Sequence, residues 1–179
     1  MSSSTTDDSS QRTPQQPGAA PAPTAAVITV SDSCARGERK DLSGPAVAEA
    51  LRKAGFAVTA AQTVADDSMQ IQNALVHHAL AVRLIVTTGG TGIAPRDVTP
   101  EATEGICDRL LDGVAERMRL EGAKKTTFAA LSRGVCGVRD KSLILNLPGS
   151  PNGAVESLEA VLDLIPHALN LLEGKTEHT

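Results

Sequence analysis

The sequence predicts an α/β domain built on a mostly parallel sheet, and three observations carry that expectation. Short, continuous apolar runs rich in β-branched residues alternate with segments of helical periodicity along the first half of the chain. The order strand, helix, strand, helix, strand calls for right-handed crossovers, which set parallel strands side by side. The segments leaving those strands hold the densest glycine, serine, proline and aspartate of the domain, a composition suited to the carboxyl edge of an open parallel sheet.

The elements can be taken in order. Ala25–Val30 (AAVITV) is an unbroken apolar run that suits a strand buried on both faces. The stretch SGPAVAEALRKAG from Ser43 places Pro45 in a first helical turn, a stripe of Ala46, Val47, Ala50, Leu51 and Ala54, and a stop at Gly55. FAVTAAQTV reads as a second strand, and Ser68 can cap a helix carrying Ile71, Ala74, Leu75, His78 and Ala79. RLIVTT is a third strand. A helix is expected from Pro100 to about Leu111, then a second helical piece around Val114–Glu121. GVCGV and SLILNL flank Arg139–Asp140–Lys141 as a hairpin or adjoining strands. The last element reads as one long helix from about Gly153 to Leu172, kinked at Pro166.

A chain of 179 residues is most simply one domain with tails. Residues 1–24, MSSSTTDDSSQRTPQQPGAAPAPT, have no apolar periodicity to offset the entropy of ordering, and read as a disordered tail without the features of a signal peptide. The domain is expected over residues 25–174, with a short C-terminal tail at 175–179. No apolar run approaches the roughly 20 residues that span a bilayer, so no membrane partner is expected. The net charge of −4 is spread without a basic block, and Phe56 and Phe128 are the whole aromatic complement, so a nucleic-acid partner is not expected either. Cys34, Cys107 and Cys136 are odd in number and form no Cys-x-x-Cys, which fits a reducing cytoplasm better than a disulfide framework or a zinc site. His77, His78, His167 and His178 have no metal-ligand company.

The densest chemistry lies in TTGGTGIAPRDVTPEA, Thr87–Ala102. Gly89, Gly90 and Gly92 permit positive φ and close approach of the backbone to a ligand, and successive N–H groups around Thr91 can form an anion-binding concavity. A tight turn without a ligand explains a lone Gly-Gly-x-Gly about as well. The pattern is not the G-x-G-x-x-G of dinucleotide sites, and Gly174–Lys175 lacks the first glycine of a phosphate loop, where Leu169 stands.

Together with VSDS (Val30–Ser33) and LPGSPNG (Leu147–Gly153), this stretch resembles the MoaB/Mog family of molybdenum-cofactor biosynthesis proteins, over about Ala25–Gly174. The resemblance implies a three-layer α/β sandwich with a mostly parallel central sheet, the molybdopterin-binding-like fold, assembled as a homotrimer or, in MoaB-type relatives, often a hexamer. It implies Mg²⁺-dependent transfer of AMP from ATP to the terminal phosphate of molybdopterin, both substrates being small molecules. The alternative of another class is a MoaB-type protein that binds molybdopterin, or acts as a scaffold, without catalysis.

Adenylyl transfer joins two polyanions, so its site must hold phosphates, neutralise charge and align the attacking oxygen with phosphorus. By resemblance, Asp97 and Asp66 are the catalytic carboxylates, with Asp67 a one-residue alternative to Asp66, and Asp97 is also the Mg²⁺ ligand. Gly89, Gly90, Thr91, Gly92, Arg96, Ser31 and Asp32 fall on the nucleotide and phosphate side. Pro148, Gly149, Ser150, Asn152 and Ser132 fall on the pterin side, with Arg133 beside them. Many relatives carry Arg where this chain has Ser33. Helix capping is the plainer reading of Asp97, Asp66 and Ser150, and a surface ion pair that of Arg96. With so few aromatic residues, recognition of adenine and pterin falls to backbone polar groups and aliphatic contacts.

Overall fold

The computed structural model describes residues 21–175; almost all of both tails read from composition lies outside the described residues. Six strands, β1 (Thr24–Val30), β2 (Ala57–Val64), β3 (Leu84–Thr88), β4 (Arg109–Leu110), β5 (Cys136–Arg139) and β6 (Ser142–Leu147), form one sheet in the order β2-β1-β3-β6-β5-β4. The first four strands in that order run parallel, and β5 and β4 join antiparallel. The helices are α1 (Asp32–Ala35), α2 (Ser43–Lys53), α3 (Ser68–Ala79), α4 (Thr99–Glu104), α5 (Asp112–Ala123), α6 (Pro151–Glu159) and α7 (Ile165–Leu172), with a 3₁₀ turn at Thr127–Leu131.

Side chains alternate across the central strands with the period of two that a pleated backbone imposes. Ala25 and Val27 of β1, Leu84 and Val86 of β3, and Leu143, Leu145 and Leu147 of β6 pack on one face, against Val47 and Leu51 of α2, Met118 of α5, Leu158 of α6 and Ile165 of α7. Ala26, Ile28, Ile85 and Ile144 point the other way, onto Ile71 and Leu75 of α3 and Ala102 of α4. Both faces are therefore covered, giving three layers, helix on sheet on helix. That is why the central strands read as unbroken apolar runs rather than as alternating ones.

Four sequence expectations need correction. Asp67, not Ser68, caps α3: its side chain accepts the Gln70 N–H at 2.9 Å, and Ser68 is the first helical residue. The helix entered at Pro100 stops at Gly105, short of Leu111, because Arg109 and Leu110 pair with Val138 and Gly137 as an edge strand. The long last helix is two helices, broken by turns between Ala160 and Leu164. Pro166 accordingly starts α7 rather than kinking a continuous helix, at a position where its missing N–H leaves no bond unmade. At the other end, β1 starts at Thr24, and the Pro23 carbonyl already accepts the Ala57 N–H at 2.9 Å.

Candidate active site

The parallel strands release their chains at one edge, and four loops meet there. The loop after β3 is shaped by the backbone itself. Gly89 and Gly90 have φ of 102° and 62°; a Cβ on Gly89 would strike the Val30 carbonyl, and one on Gly90 the Thr99 hydroxyl. The turn is then pinned: Gly89 N–H donates to the Leu147 carbonyl, Thr99 Oγ1 to the Gly89 carbonyl at 3.0 Å, and Thr99 N–H to the Gly90 carbonyl. Behind it, buried Asn146 donates to Thr87 Oγ1 and Thr103 Oγ1 at 3.0 Å each and accepts the Val135 N–H. A buried polar group satisfied this fully fixes the position of whatever rests on it.

Two cavities open at this edge. The larger, about 490 Å³, is bordered by Ser31, Asp66, Gly89, Gly90 and Asp97, and by Arg39, Lys40 and Asp41 from the loop before α2. The smaller, about 300 Å³, is bordered by Thr91, Gly92, Ser132 and Pro148, with Phe128 and Leu131 from the 3₁₀ turn. Gly149 and Ser150 border both, so the cavities adjoin along the β6 loop. Ser150 starts α6 but its hydroxyl makes no capping bond.

The carboxylates behave differently from one another. Asp97 Oδ2 accepts the Ala94 N–H at 2.8 Å, closing its own turn backwards, and α4 begins at Thr99, after Val98 at the N-cap position with no side-chain cap. Gly92 lies so close that a Cβ there would come within 2.7 Å of Asp97 Oδ2. Asp66 and Asp32 bind reciprocally: Asp32 N–H donates to Asp66 Oδ2 at 2.8 Å, and Asp66 N–H to Asp32 Oδ1 at 3.1 Å. Burial pushes the Asp66 carboxyl above its ordinary range, the Asp32 N–H offsets part of that, and the charges of Asp32 and Asp97 add to the rise. For Asp32, burial acts upward but is outweighed by the Asp66 N–H and by Arg96, so its carboxyl ionises more readily than usual. Asp67 stands outside this cluster, capping α3.

Arg96 is engaged. Its Nε and Nη2 donate to Asp32 Oδ2 at 3.0 and 2.7 Å, and neither Arg96 nor Asp32 borders either cavity. Ser31 caps the short α1, accepting the Cys34 N–H at 3.3 Å, while bordering the larger cavity. Thr91 and Gly92, expected beside the nucleotide, border the smaller cavity with Pro148 and Ser132, and Asn152, exposed on α6 between Pro151 and Gly153, lines neither cavity itself. Arg133 takes a part that its place in the sequence does not disclose. It donates to the Gly92 carbonyl and the Asp97 carbonyl at 2.7 Å each, pairs with Glu101, and its N–H reaches the Thr91 carbonyl at 2.9 Å. One guanidinium thus ties both ends of the glycine loop. Sequence reasoning also misses Arg39 and Lys40; three cations in the seven residues Arg36–Leu42, within a loop leaving a parallel strand, are the signal that could find them.

Cys107 and Cys136 are pushed by burial to about 11 and about 12, which leaves them protonated and inert. Among the described residues no group of three or more His, Cys, Asp or Glu side chains is arranged to hold a metal, and no helix is long and apolar enough to cross a membrane.

Known proteins share this fold. Residues 26–167 match the family model described as "Probable molybdopterin binding domain". A molybdopterin adenylyltransferase of Helicobacter pylori is 42% identical over 154 residues, covering 83% of this chain and 86% of that protein. Among solved structures, the molybdopterin biosynthesis enzyme MoaB of Thermus thermophilus superposes with a TM-score of 0.81 at 53% identity, covering 86% of this chain and 98% of that one. The molybdopterin biosynthesis Mog protein of Mycobacterium ulcerans superposes at 0.79 and 41% identity, covering 86% and 98%. Sequence and three-layer fold thus converge on proteins of one kind: the chain belongs to the molybdopterin-binding-domain family of molybdenum-cofactor biosynthesis.

Proposed function

We infer that this chain is an adenylyltransferase of molybdenum-cofactor biosynthesis, transferring AMP from ATP to molybdopterin with release of pyrophosphate. The observation that carries the reading is the meeting of Asp66, Asp97 and the Gly89–Gly90 turn on one cleft that adjoins a second cavity through Gly149 and Ser150. A reaction between two bound substrates needs two compartments with a shared wall, and both volumes suit small-molecule sites. ATP occupies the larger one and molybdopterin the smaller. The new P–O–P bond forms as a molybdopterin phosphate oxygen attacks the α-phosphorus and the α–β bond breaks, its electron pair leaving with pyrophosphate.

The chain's own contribution is orientation and electrostatics. Gly89 and Gly90 border the cleft, and because the Gly89 N–H is spent on the Leu147 carbonyl, Gly90 supplies the turn's N–H to the α-phosphate. Ser150, its hydroxyl unspent on the helix, stands where the two ligands meet. Arg133 holds the loop that carries Asp97, so the carboxylate keeps its place. The residues suit Mg²⁺: Asp66 and Asp97 border one cleft, and the Asp97 charge helps to push the Asp66 carboxyl up, a crowding that a cation between them would relieve. Mg²⁺ commonly takes one or two carboxylates and completes its shell with substrate phosphates and water, so a cage of three protein ligands is not needed. Asp97 would hold it, with Asp66 alongside, and the ion would neutralise the phosphates and align them. The reading puts the protein in the cytoplasm, in keeping with its three free cysteines.

The test is direct. Purified protein given ATP, Mg²⁺ and molybdopterin should release pyrophosphate and form adenylylated molybdopterin, each depending on all three. Binding of molybdopterin with no pyrophosphate released would overturn the reading.

A further inference from the structure

The sequence points to Arg96 as the phosphate-binding cation, but the structure spends it on Asp32. The cations that border the larger cleft are Arg39 and Lys40. Their loop holds a third cation, Arg36, which is paired with Glu38 at 2.7 Å. Arg39 and Lys40 have no ion-pair partner among the described residues. The loop presenting them is anchored at both ends. Glu38 and Arg39 N–H groups donate to the Ser33 carbonyl at 2.9 and 3.2 Å, after a turn made by Gly37 at φ 72°. On the other side Asp41 accepts Thr29 Oγ1 at 2.6 Å and the Gly44 N–H at 3.0 Å, tying the loop to β1 and α2.

We propose that Arg39 and Lys40 form the pyrophosphate clamp of this enzyme, holding the β- and γ-phosphates of ATP and the departing pyrophosphate. The proposal rests on the adenylyl-transfer reading for its substrate. Placement within the cleft supports it. The reacting α-phosphorus must lie at the wall shared with the second cavity, beside Gly149 and Ser150. Arg39 and Lys40 border the larger cavity alone, so they face the part of ATP beyond the transferred group. That part is either neutral adenine or the polyphosphate, and two unpaired cations select the polyanion. Negative charge also grows on the β-phosphate as the α–β bond breaks, so cations there stabilise the leaving group as well as the bound substrate.

The experiment titrates inorganic pyrophosphate with Mg²⁺ into the full chain and into Arg39→Gln/Lys40→Gln, with a thermal melt of each. Both side chains are exposed, so the double variant should melt like the wild type. Its pyrophosphate affinity should fall tenfold or more and lose much of its salt dependence, while the KM for ATP rises by a similar factor and that for molybdopterin stays unchanged. Wild-type affinity in the double variant, no pyrophosphate binding by the wild type, or an equal loss in Arg96→Gln would each overturn the clamp. Failure of the wild type to transfer AMP would instead bring down the adenylyl-transfer reading, and the pyrophosphate titration would still decide the clamp.

Discussion

Asp97 and Asp66 border the same cleft but are held in different ways, and substitution separates their roles. Asp97→Asn keeps an oxygen to accept the Ala94 N–H and removes a full charge from the site proposed for Mg²⁺. Turnover should fall about 100-fold or more, on the scale of losing about 3 kcal/mol of transition-state stabilisation. Stability should change by less than about 1 kcal/mol, and molybdopterin binding should persist. Full activity in steady-state assays at saturating Mg²⁺ would remove Asp97 from the mechanism. Asp66→Asn should also lose turnover, yet gain stability. Its carboxyl is raised in the fold, so the folded chain binds a proton more tightly than the unfolded chain does. The stability of the wild type therefore falls as pH rises from about 4, the unfolded value, through the higher folded value. At pH 7 the asparagine variant escapes that penalty and should melt above the wild type, a gain that disappears in acid. An unchanged melting temperature at both pH values would show that the crowding of Asp32, Asp66 and Asp97 carries no cost.

At the scale of elements, the site depends on where helices begin. Asp67 and Asp66 are neighbours in sequence and indistinguishable in type, and the start of α3 separates them: one caps the helix, the other crosses to Asp32. Asp67→Ala should cost about 1 kcal/mol of stability, the usual cost of a lost cap, and leave kcat for adenylylation within about twofold. Loss of turnover without loss of stability would exchange the two roles. The same reasoning explains why α4 stops early. Gly105 N–H still bonds to the Glu101 carbonyl, but the next residues turn to feed Arg109 and Leu110 onto β5, where two exposed residues read as helical serve an edge strand instead.

For the molecule as a whole, the apolar surface left exposed points to assembly. Leu80, Phe128 and Ile93 are 82%, 75% and 70% exposed, and a groove beside α2 and α6 is lined by Ala46, Ala50, Val155 and Leu162 together with Glu49, Lys53 and Glu159. A chain with so much uncovered apolar surface gains from burying it against its own copies. We expect a homotrimer, measurable by light scattering at micromolar concentration. A monomer would contradict this, and a hexamer would shift weight toward the MoaB-type assembly.

The layered α/β architecture is written in the order of residues, because the runs AAVITV and LIVTT suit strands buried on both faces. That order also marks the glycine turn, since Gly89 and Gly90 directly after a strand permit the positive φ that both adopt. Which charges remain available is settled by packing between distant segments. Arg96 and Asp32 stand 64 positions apart and neutralise each other, Arg133 reaches back 41 positions to the Gly92 carbonyl, and Arg39 and Lys40 are left facing the cleft. The physical reason is that pairing between charged side chains is set by distance in space, which local periodicity and motif spacing do not encode.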